Sequence, residues 1–263
     1  MSQQKVILEI NAQGLATLTL NRAEVRNAFD DEMITQLISY IDQVENDNAV
    51  KVLVLRAEGK HFSAGADLNW MARMAKNSPE QNFADAQQLA SLMSRLNHLS
   101  KPTVALVQGA AFGGAVGLAA CCDMVFATAS CNFCLSEVRL GLIPAAISPF
   151  VVRAIGERQA RRYFISAEVF DAKTAQTLGL VHSISEDVED MKVQSDQWLA
   201  AVLNNGPKAM QAAKKLALDV SLAPIDQALS DETAKRIADI RATPEAIEGL
   251  SAFLEKRPVN WPE

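Results

Sequence analysis

Two buried strands that each lead directly into a loop of small residues constrain this chain more than any other sequence feature. The segments VKVLVLRA (50–57) and TVALVQ (103–108) are short and nearly all apolar, which is typical of strands covered on both faces. HFSAGADL (61–68) follows the first strand, and GAAFGGAVG (109–117) follows the second. Strands of this kind are covered by helices, so the pattern predicts an α/β fold.

Strand and helix signals alternate over the first two thirds of the chain, and only helical signals remain beyond about residue 187. In chain order we expect a hairpin (5–20), a helix capped by Asp30 or Asp31, a strand (50–57), a loop (58–69), a helix ending before Pro102, a strand (103–108), a turn with a small-residue helix (109–122) and a strand (123–128). We predict a core over residues 1–198 and a helical region over residues 199–263.

Composition excludes several classes of protein. The 263 residues are 49% hydrophobic, which is enough for a sizeable core and excludes a largely disordered chain. The net charge is −6 and no basic stretch could follow a phosphate backbone, so we expect no nucleic-acid partner. No apolar run approaches the roughly 18–20 residues of a membrane-spanning helix. The segment MSQQKVILEINAQG lacks a secretory signal pattern, so we expect a cytoplasmic protein without a membrane partner.

The four cysteines lie close together, at positions 121, 122, 131 and 134. A CxxC that follows a CC pair is compatible with a zinc or redox site. The first pair, however, ends an alanine-rich apolar run, and the second alternates with Phe133 and Leu135 as in a buried strand. Structural zinc sites usually combine two such knuckles at longer separation. We therefore expect buried, reduced thiols and no metal site.

The two loops of small residues could expose free backbone amides. Amides at a helix start lack internal partners, and glycine and alanine let a ligand oxygen approach them. Two such loops that face each other could hold a developing oxyanion from both sides. The alternative for each loop is close packing of a helix against a strand. The motifs GxGxxG, GK[ST] and GxSxG do not occur at these loops, so a dinucleotide site, a P-loop and a serine hydrolase are disfavoured.

One carboxylate, Glu137, lies in the apolar segment NFCLSEVRLGLIP. If this side chain is desolvated, its pKa rises and proton transfer near neutral pH becomes feasible. The alternative is that Arg139 or Arg153 pairs with it in a structural ion pair.

Five ordered motifs resemble the enoyl-CoA hydratase/isomerase (crotonase) superfamily. They are LNRAEVRNAF, HFSAGADL, QGAAFGGAVGLAACCD, FCLSEVRLGLIP and, near the end, DAKTAQTLGLV with EGLSAFLEKRPVNW. The resemblance implies an α/β spiral of β-β-α turns followed by a C-terminal helical trimerisation region. It also implies a homotrimer or homohexamer and an acyl-CoA thioester substrate, with no cofactor beyond the coenzyme A that the substrate carries.

Carried over by position, the resemblance gives roles to individual residues. The amides of Ala66 and Gly114 would bind the thioester carbonyl oxygen, and Glu137 would be the catalytic glutamate. The predicted contacts with coenzyme A are Arg26 and Ala28 along the molecule, Ala64, Asp67 and Leu68 near its adenine and pantetheine, and Lys256 near the phosphates of a neighbouring subunit's substrate.

The resemblance departs at Gly117, where typical hydratases of this family carry the first of two glutamates. An isomerase that moves a proton between carbons needs only one base, whereas a hydratase must also hold water. The residues alone therefore favour a 3-enoyl to 2-enoyl-CoA isomerase that uses Glu137. A non-catalytic acyl-CoA-binding scaffold is a further alternative.

The segment FGGAVGLAACCDM and the residues after it are most similar to a bacterial subgroup that hydrates 3-methylglutaconyl-CoA in leucine breakdown. On this resemblance we predict a hydratase that adds water across the 2,3 double bond of a 2-enoyl-CoA through an oxyanion-stabilised enolate. The substrate carboxylate would then need a cation, with Arg139 and Arg73 as candidates, and could itself hold the water beside Gly117. A glutamate restored at position 117 would then help crotonyl-CoA more than the diacid.

Overall fold

The structure is a computed structural model that describes residues 4–262. Residues 1–3 and residue 263, which end the two predicted regions, lie outside the described residues. Residues 1–3 also begin the segment in which no secretory signal pattern was found. The strands are β1 (Val6–Ile10), β2 (Leu15–Leu20), β3 (Val52–Ala57), β4 (Thr103–Val107), β5 (Ala110–Phe112), β6 (Met124–Thr128), β7 (Asn132–Cys134), β8 (Val169–Asp171) and β9 (Ser183–Ser185).

A six-stranded sheet in the order β1-β2-β3-β4-β6-β9 forms the centre of the fold. β1 and β2 form the predicted hairpin, with Val6 opposite Leu20 and a turn at Gly14, whose φ of +85° favours glycine. Each later pair in this sheet is parallel. Parallel neighbours need a crossover connection, which the helices supply.

The helices are α1 (Asp31–Asn46), α2 (Leu68–Met74), α3 (Pro79–His98), α4 (Gly114–Ala120), α5 (Ser148–Ile155), α6 (Glu157–Ser166), α7 (Ala172–Leu178), α8 (Val188–Leu203), α9 (Pro207–Val220), α10 (Gln227–Arg241) and α11 (Pro244–Glu255). The expected cap of the first helix is Asp30, whose Oδ1 accepts a 2.9 Å hydrogen bond from the amide of Met33.

The central strands are buried on both faces, as their apolar runs predicted. In β3, Leu53 and Leu55 belong to the main core, whereas Val52 and Val54 pack in a second cluster that includes Met191 of α8. The two clusters on opposite faces of β3 explain why this strand shows almost no polar alternation.

The structure corrects the predicted elements in two places. The loop predicted over 58–69 ends early, because α2 begins at Leu68 with Asp67 as its cap. The predicted turn at 109–113 contains β5, which pairs with β7, and β7 pairs in turn with β8. β7 falls in the stretch 131–135 whose alternation indicated a buried strand, whereas β5 and β8 have three residues each, too few for an alternating pattern to be visible in the sequence.

The predicted boundary at residue 198 falls inside α8, which packs on the central sheet through Met191 and Leu199. The later helices α9 and α10 bury no residue. The all-helical character beyond residue 187 is therefore confirmed, while the division into two regions stays a prediction.

The four cysteines are buried and form no disulfide, as expected. Burial raises the pKa of the thiols of Cys122 and Cys131 to about 12, which keeps them protonated near neutral pH. Within residues 4–262, no helix has both the length and the apolar composition needed to cross a membrane.

Candidate active site

The first small-residue loop is held so that one of its amides stays free. The amide of Phe29 donates to the carbonyl of Gly65 and the amide of Asp67 donates to the carbonyl of Phe29, both at 2.8 Å. Phe29 and Ala66 thus form a parallel bridge. Because the backbone groups of residues 65 and 67 face Phe29, those of Ala66 point the other way. The Ala66 amide has no acceptor within residues 4–262.

The second loop is fixed against the first. The amide of Ser63 donates to the carbonyl of Ala110, and the amide of Phe112 donates to the carbonyl of Ser63, each at 3.0 Å. The next amide, that of Gly113, is used by the carbonyl of Cys134 at 2.8 Å. Gly114 begins α4, and its amide is without an acceptor in the part of the chain that the structure describes. Ala66 and Gly114 line one cavity, so the two predicted amides are brought together.

Glu137 opens a short 3₁₀ turn just after β7 and lines the same cavity. Its Oε2 is buried and has no hydrogen-bond partner among the described residues. Its Oε1 lies 3.2 Å from the point where a Cβ on Gly113 would stand, and the φ of +55° at Gly113 favours glycine there. Burial raises the pKa of the Glu137 carboxyl above its ordinary value, as predicted.

The alternative of a structural ion pair at Glu137 is not found. Arg139 donates from Nη2 to the carbonyl of Ala167 at 2.6 Å. Arg153 lines a different cavity, together with His182. Within residues 4–262, no Lys, Arg or His nitrogen forms an ion pair with Glu137. This carboxylate is therefore desolvated without a compensating charge.

The cavity has a volume of about 440 Å³ and lies between α2, the start of α3 and residues 140–147. Its wall is mostly apolar. The polar side chains that line it are Asn82, Asp85, Ser136 and Glu137. Asp85 accepts a hydrogen bond of 3.1 Å from Nδ2 of Asn77. No Lys, Arg or His among the described residues lines this cavity.

The two cations proposed for a substrate carboxylate are placed elsewhere. Arg73 donates from Nη2 to Oδ1 of Asp31 at 2.7 Å, on the exposed surface. Arg139 is bound to the carbonyl of Ala167, as described above. Neither of them lines the cavity.

Gly117 lies in α4, buried, with its Cα toward Ile147. A Cβ at this position would stand 2.7 Å from Cβ of Ile147 and 3.2 Å from Sδ of Met93. Ile147 also lines the cavity and is buried. The space that a glutamate side chain at position 117 would occupy is therefore filled by the apolar side chain of Ile147.

Five of the six residues predicted to contact coenzyme A fall into three groups. Arg26 and Ala28 lie beside the first loop, where the carbonyl of Arg26 accepts from the amide of Ala64 at 3.0 Å. Ala64 and Leu68 line the cavity, and the Leu68 side chain is 81% exposed. Lys256 ends α11 and does not line the cavity of its own chain, so its proposed contact with a neighbouring subunit's substrate stays a prediction.

Asp67 has other partners. Its Oδ1 accepts from the amides of Asn69 and Trp70, and its Oδ2 lies 3.1 Å from Nη2 of Arg22. Burial acts to raise the pKa of Asp67, but these donors together hold that pKa below its ordinary value. The Asp67 carboxylate therefore caps α2 and forms an ion pair with Arg22 within the chain.

Comparison with known proteins assigns this chain to a family. The family model described as enoyl-CoA hydratase/isomerase matches residues 10–263. The chain belongs to this family. The α/β fold and the resemblance to the crotonase superfamily are thereby confirmed, and the predicted enzyme class agrees with the names of its relatives.

Three relatives show how far the similarity of this family member extends. It is 32% identical over 261 residues to the 2,3-dehydroadipyl-CoA hydratase of Escherichia coli (strain K12), covering 98% of this chain and 96% of the relative. It is 30% identical over 263 residues to the crotonyl-CoA hydratase of Syntrophomonas wolfei, covering 99% of both chains. A crystal structure of an enoyl-CoA hydratase from Shewanella pealeana matches with a TM-score of 0.95 and 46% identity, covering 99% of this chain and 97% of that one.

Sequence reasoning missed three residues of the site. Arg22 stands in the motif LNRAEVRNAF, but its sequence neighbours gave no sign that it reaches Asp67. Ile147 stands in AAISPF, and nothing in that segment indicates its contact with Gly117. Asp85 lies on a helix face whose orientation toward the cavity only the fold reveals.

Proposed function

We propose that this chain hydrates 2-enoyl-CoA thioesters and that Glu137 is its catalytic carboxylate. The observation that carries the proposal is the buried, unpartnered Oε2 of Glu137 in the wall of a cavity that two unpaired amides also line. Amides of this kind suit a thioester oxygen that gains negative charge. A carboxyl group with a raised pKa suits proton transfer near neutral pH. The hydratase names of the relatives support the same reaction.

In the proposed reaction, the amides of Ala66 and Gly114 bind the carbonyl oxygen of the thioester. Glu137 takes a proton from water while the water oxygen forms a bond to C3. The electron pair of the C2=C3 bond moves toward the carbonyl oxygen, which gives an enolate. Glu137 then returns the proton to C2 and the carbonyl re-forms, so one water is added and the carboxylate is regenerated. In another enzyme, loss of one such donor lowers kcat by about 10²–10³.

The isomerase is the second candidate, because α4 contributes no carboxylate to the described cavity wall, where Gly117 stands in place of the first family glutamate. One base is enough to move a proton from C2 to C4 of a 3-enoyl thioester. A scaffold without turnover is the third, and the unpartnered carboxylate weighs against it, since a buried unpaired polar group has a cost in stability.

The absorbance of the enoyl thioester band separates the three candidates. Loss of the band with crotonyl-CoA is the result expected for hydration. A gain with a 3-enoyl-CoA, without loss from crotonyl-CoA, would establish the isomerase instead. If the absorbance changes with neither substrate while a saturated acyl-CoA still binds, the result would support the scaffold.

The identity of the substrate's acyl group is a separate part of the proposal. 3-Methylglutaconyl-CoA, the substrate expected from the resemblance, stays a prediction, as does a place in leucine breakdown. The described cavity wall offers its carboxylate no cation and contains Asp85, which favours an uncharged acyl group. Turnover of 3-methylglutaconyl-CoA beside crotonyl-CoA decides between them. Faster hydration of the diacid would support the resemblance and its substrate-assisted water.

We also propose that the chain assembles through its C-terminal helices, as a homotrimer or homohexamer. An open groove of about 520 Å³ between α9 and α10 is lined by apolar residues that include Leu216 and Ile237. Large apolar side chains are exposed along this part of the chain, namely Leu222, Ile225, Ile247, Leu250, Phe253 and Leu254. Apolar surface of this extent is typical of an interface. The cytoplasmic location stays a prediction.

A further inference from the structure

We infer that Arg22 is a positioning residue that fixes the direction of the Ala66 amide. The inference rests on the proposed function, since it concerns how the oxygen-binding amide is held. Arg22 does not line the cavity and has no place in the reaction itself.

The amide of Ala66 owes its direction to the bridge with Phe29. Two hydrogen bonds of 2.8 Å, to Gly65 and from Asp67, hold the loop on either side of residue 66. If this bridge twisted or slipped, the Ala66 N–H would no longer point into the cavity. Misplacement of a reacting group by about 1 Å can lower a rate by about 10²-fold.

The guanidinium of Arg22 ties together the residues that flank this bridge. Nη1 donates to the carbonyl of Ala28 at 2.6 Å and lies 3.1 Å from Oδ2 of Asp30, so it holds both neighbours of Phe29. Nη2 lies 3.1 Å from Oδ2 of Asp67, which is the neighbour of Ala66. One side chain therefore connects the two sides of the bridge without contacting the cavity.

The contacts of Arg22 are shielded from water. The Arg22 side chain is 13% exposed and that of Asp67 is 9% exposed. Ion pairs at such sites are screened less than pairs on the surface, and removal of one partner leaves the other charge uncompensated. Asp30 retains Lys5, at 2.6 Å, if Arg22 is removed. Asp67 forms no other ion pair within residues 4–262, so the oxygen-binding loop depends on Arg22 more than α1 does.

The test compares Arg22→Gln and Arg22→Lys with Arg95→Gln. Arg95 pairs with Asp42 on the exposed surface between α3 and α1 and does not line the cavity, so it is a control for the loss of an arginine and its ion pair away from the bridge. A saturated acyl-CoA labelled with ¹³C at the thioester carbonyl binds without turnover. Its ¹³C chemical shift in the bound state reports polarisation of the carbonyl, which a general loss of stability would not change.

For Arg22→Gln we expect kcat for crotonyl-CoA to fall about tenfold or more. The downfield ¹³C shift of the bound carbonyl should shrink, while the dissociation constant changes by less than about threefold. Arg22→Lys should recover part of both losses, and Arg95→Gln should match the wild type. Full carbonyl polarisation with wild-type kcat in folded Arg22→Gln would overturn the inference.

Asp67→Asn keeps the test decisive if Arg22→Gln does not fold. Asparagine still caps α2 through its side-chain oxygen but loses the charge that pairs with Arg22. We expect the same reduced ¹³C shift and reduced kcat, and unchanged values would overturn the inference. An absent downfield shift in the wild type is a separate result, because it would overturn the proposed function together with this inference.

Discussion

Ile147 occupies the space that any side chain at position 117 would need. A Cβ on Gly117 would approach Cβ of Ile147 to 2.7 Å, well below ordinary van der Waals contact. Gly117 has no positive φ, so the glycine is required for space and not for backbone conformation. The glycine at position 117 and the isoleucine at position 147 therefore depend on each other, because the isoleucine side chain leaves no room for a glutamate at position 117.

Gly117→Glu alone is expected to destabilise the protein and lower its turnover of every substrate, because overpacking a filled core costs about 1–3 kcal/mol or more. A glutamate at position 117 can therefore raise the turnover of crotonyl-CoA only if a second substitution makes room for it. The double variant Gly117→Glu/Ile147→Gly should melt close to Ile147→Gly alone, as measured by calorimetry, because glycine at position 147 also removes the Cβ that lies 2.7 Å away. A single Gly117→Glu variant with wild-type melting temperature would contradict the steric account.

Asp85 should determine how well the cavity accepts a second negative charge. Asp85→Asn keeps the size of the side chain but removes a like charge from the cavity wall. We expect kcat/KM for 3-methylglutaconyl-CoA, relative to crotonyl-CoA, to rise about fivefold or more, which corresponds to about 1 kcal/mol between charges roughly 4 Å apart in water. Glu80→Gln, an exposed change in the first turn of the same helix, is the control. An unchanged ratio would mean that the substrate carboxylate does not lie near Asp85.

The partly buried carboxyl of Glu137 should make stability depend on pH. Its folded pKa is raised above the ordinary value of 4.5, so folding favours the protonated form. The contribution of this group is therefore fully present below pH 4.5 and is lost as pH rises through the folded pKa. At neutral pH, Glu137→Gln should have a higher free energy of unfolding than the wild type, and the difference should shrink toward low pH.

Urea unfolding at a series of pH values measures this effect. Glu157→Gln, which removes an exposed carboxylate on α6, is the matched control and should show little pH-dependent difference. A Glu137→Gln variant less stable than the wild type at neutral pH would show that the carboxylate has a stabilising partner in solution.

Several elements followed directly from local sequence. The hairpin, the Asp30 cap and the strands at Val52–Ala57 and Thr103–Val107 were predicted because alternation, capping chemistry and continuous burial are local signals. The raised pKa of Glu137 was predicted from its apolar neighbours. Helix α2 was missed because its seven residues bury only Trp70, which is too little for helical periodicity to appear.

The missed parts of the site depend on contacts between distant segments. Arg22 and Asp67 are 45 positions apart, and their ion pair follows from the Phe29–Ala66 bridge rather than from either motif. The packing of Ile147 on Gly117 likewise needs α4 and α5 in place. Sequence patterns predicted which loops carry the chemistry, but not which side chains hold those loops.

The C-terminal helices should control assembly. Truncation after residue 200 would remove the last turn of α8, so surface substitutions are the cleaner test. Phe253→Ser/Leu254→Ser removes two exposed apolar side chains from α11 and should reduce the number of associated subunits or cause aggregation. Val193→Ser, an exposed change on α8, is the control. A wild-type monomer by light scattering, or an unchanged mass in the double variant, would contradict assembly through this surface.

Hydration of crotonyl-CoA by the wild type and by Glu137→Gln, followed at the enoyl thioester band, tests the central claim most directly. Glutamine keeps the shape of the side chain but cannot transfer the proton. We expect kcat to fall by about 100-fold or more, because acid–base catalysis typically contributes 10²–10⁴. Binding of a saturated acyl-CoA should change little, and Glu157→Gln should match the wild type. Near-wild-type hydration by folded Glu137→Gln would contradict the claim that this carboxylate carries the reaction.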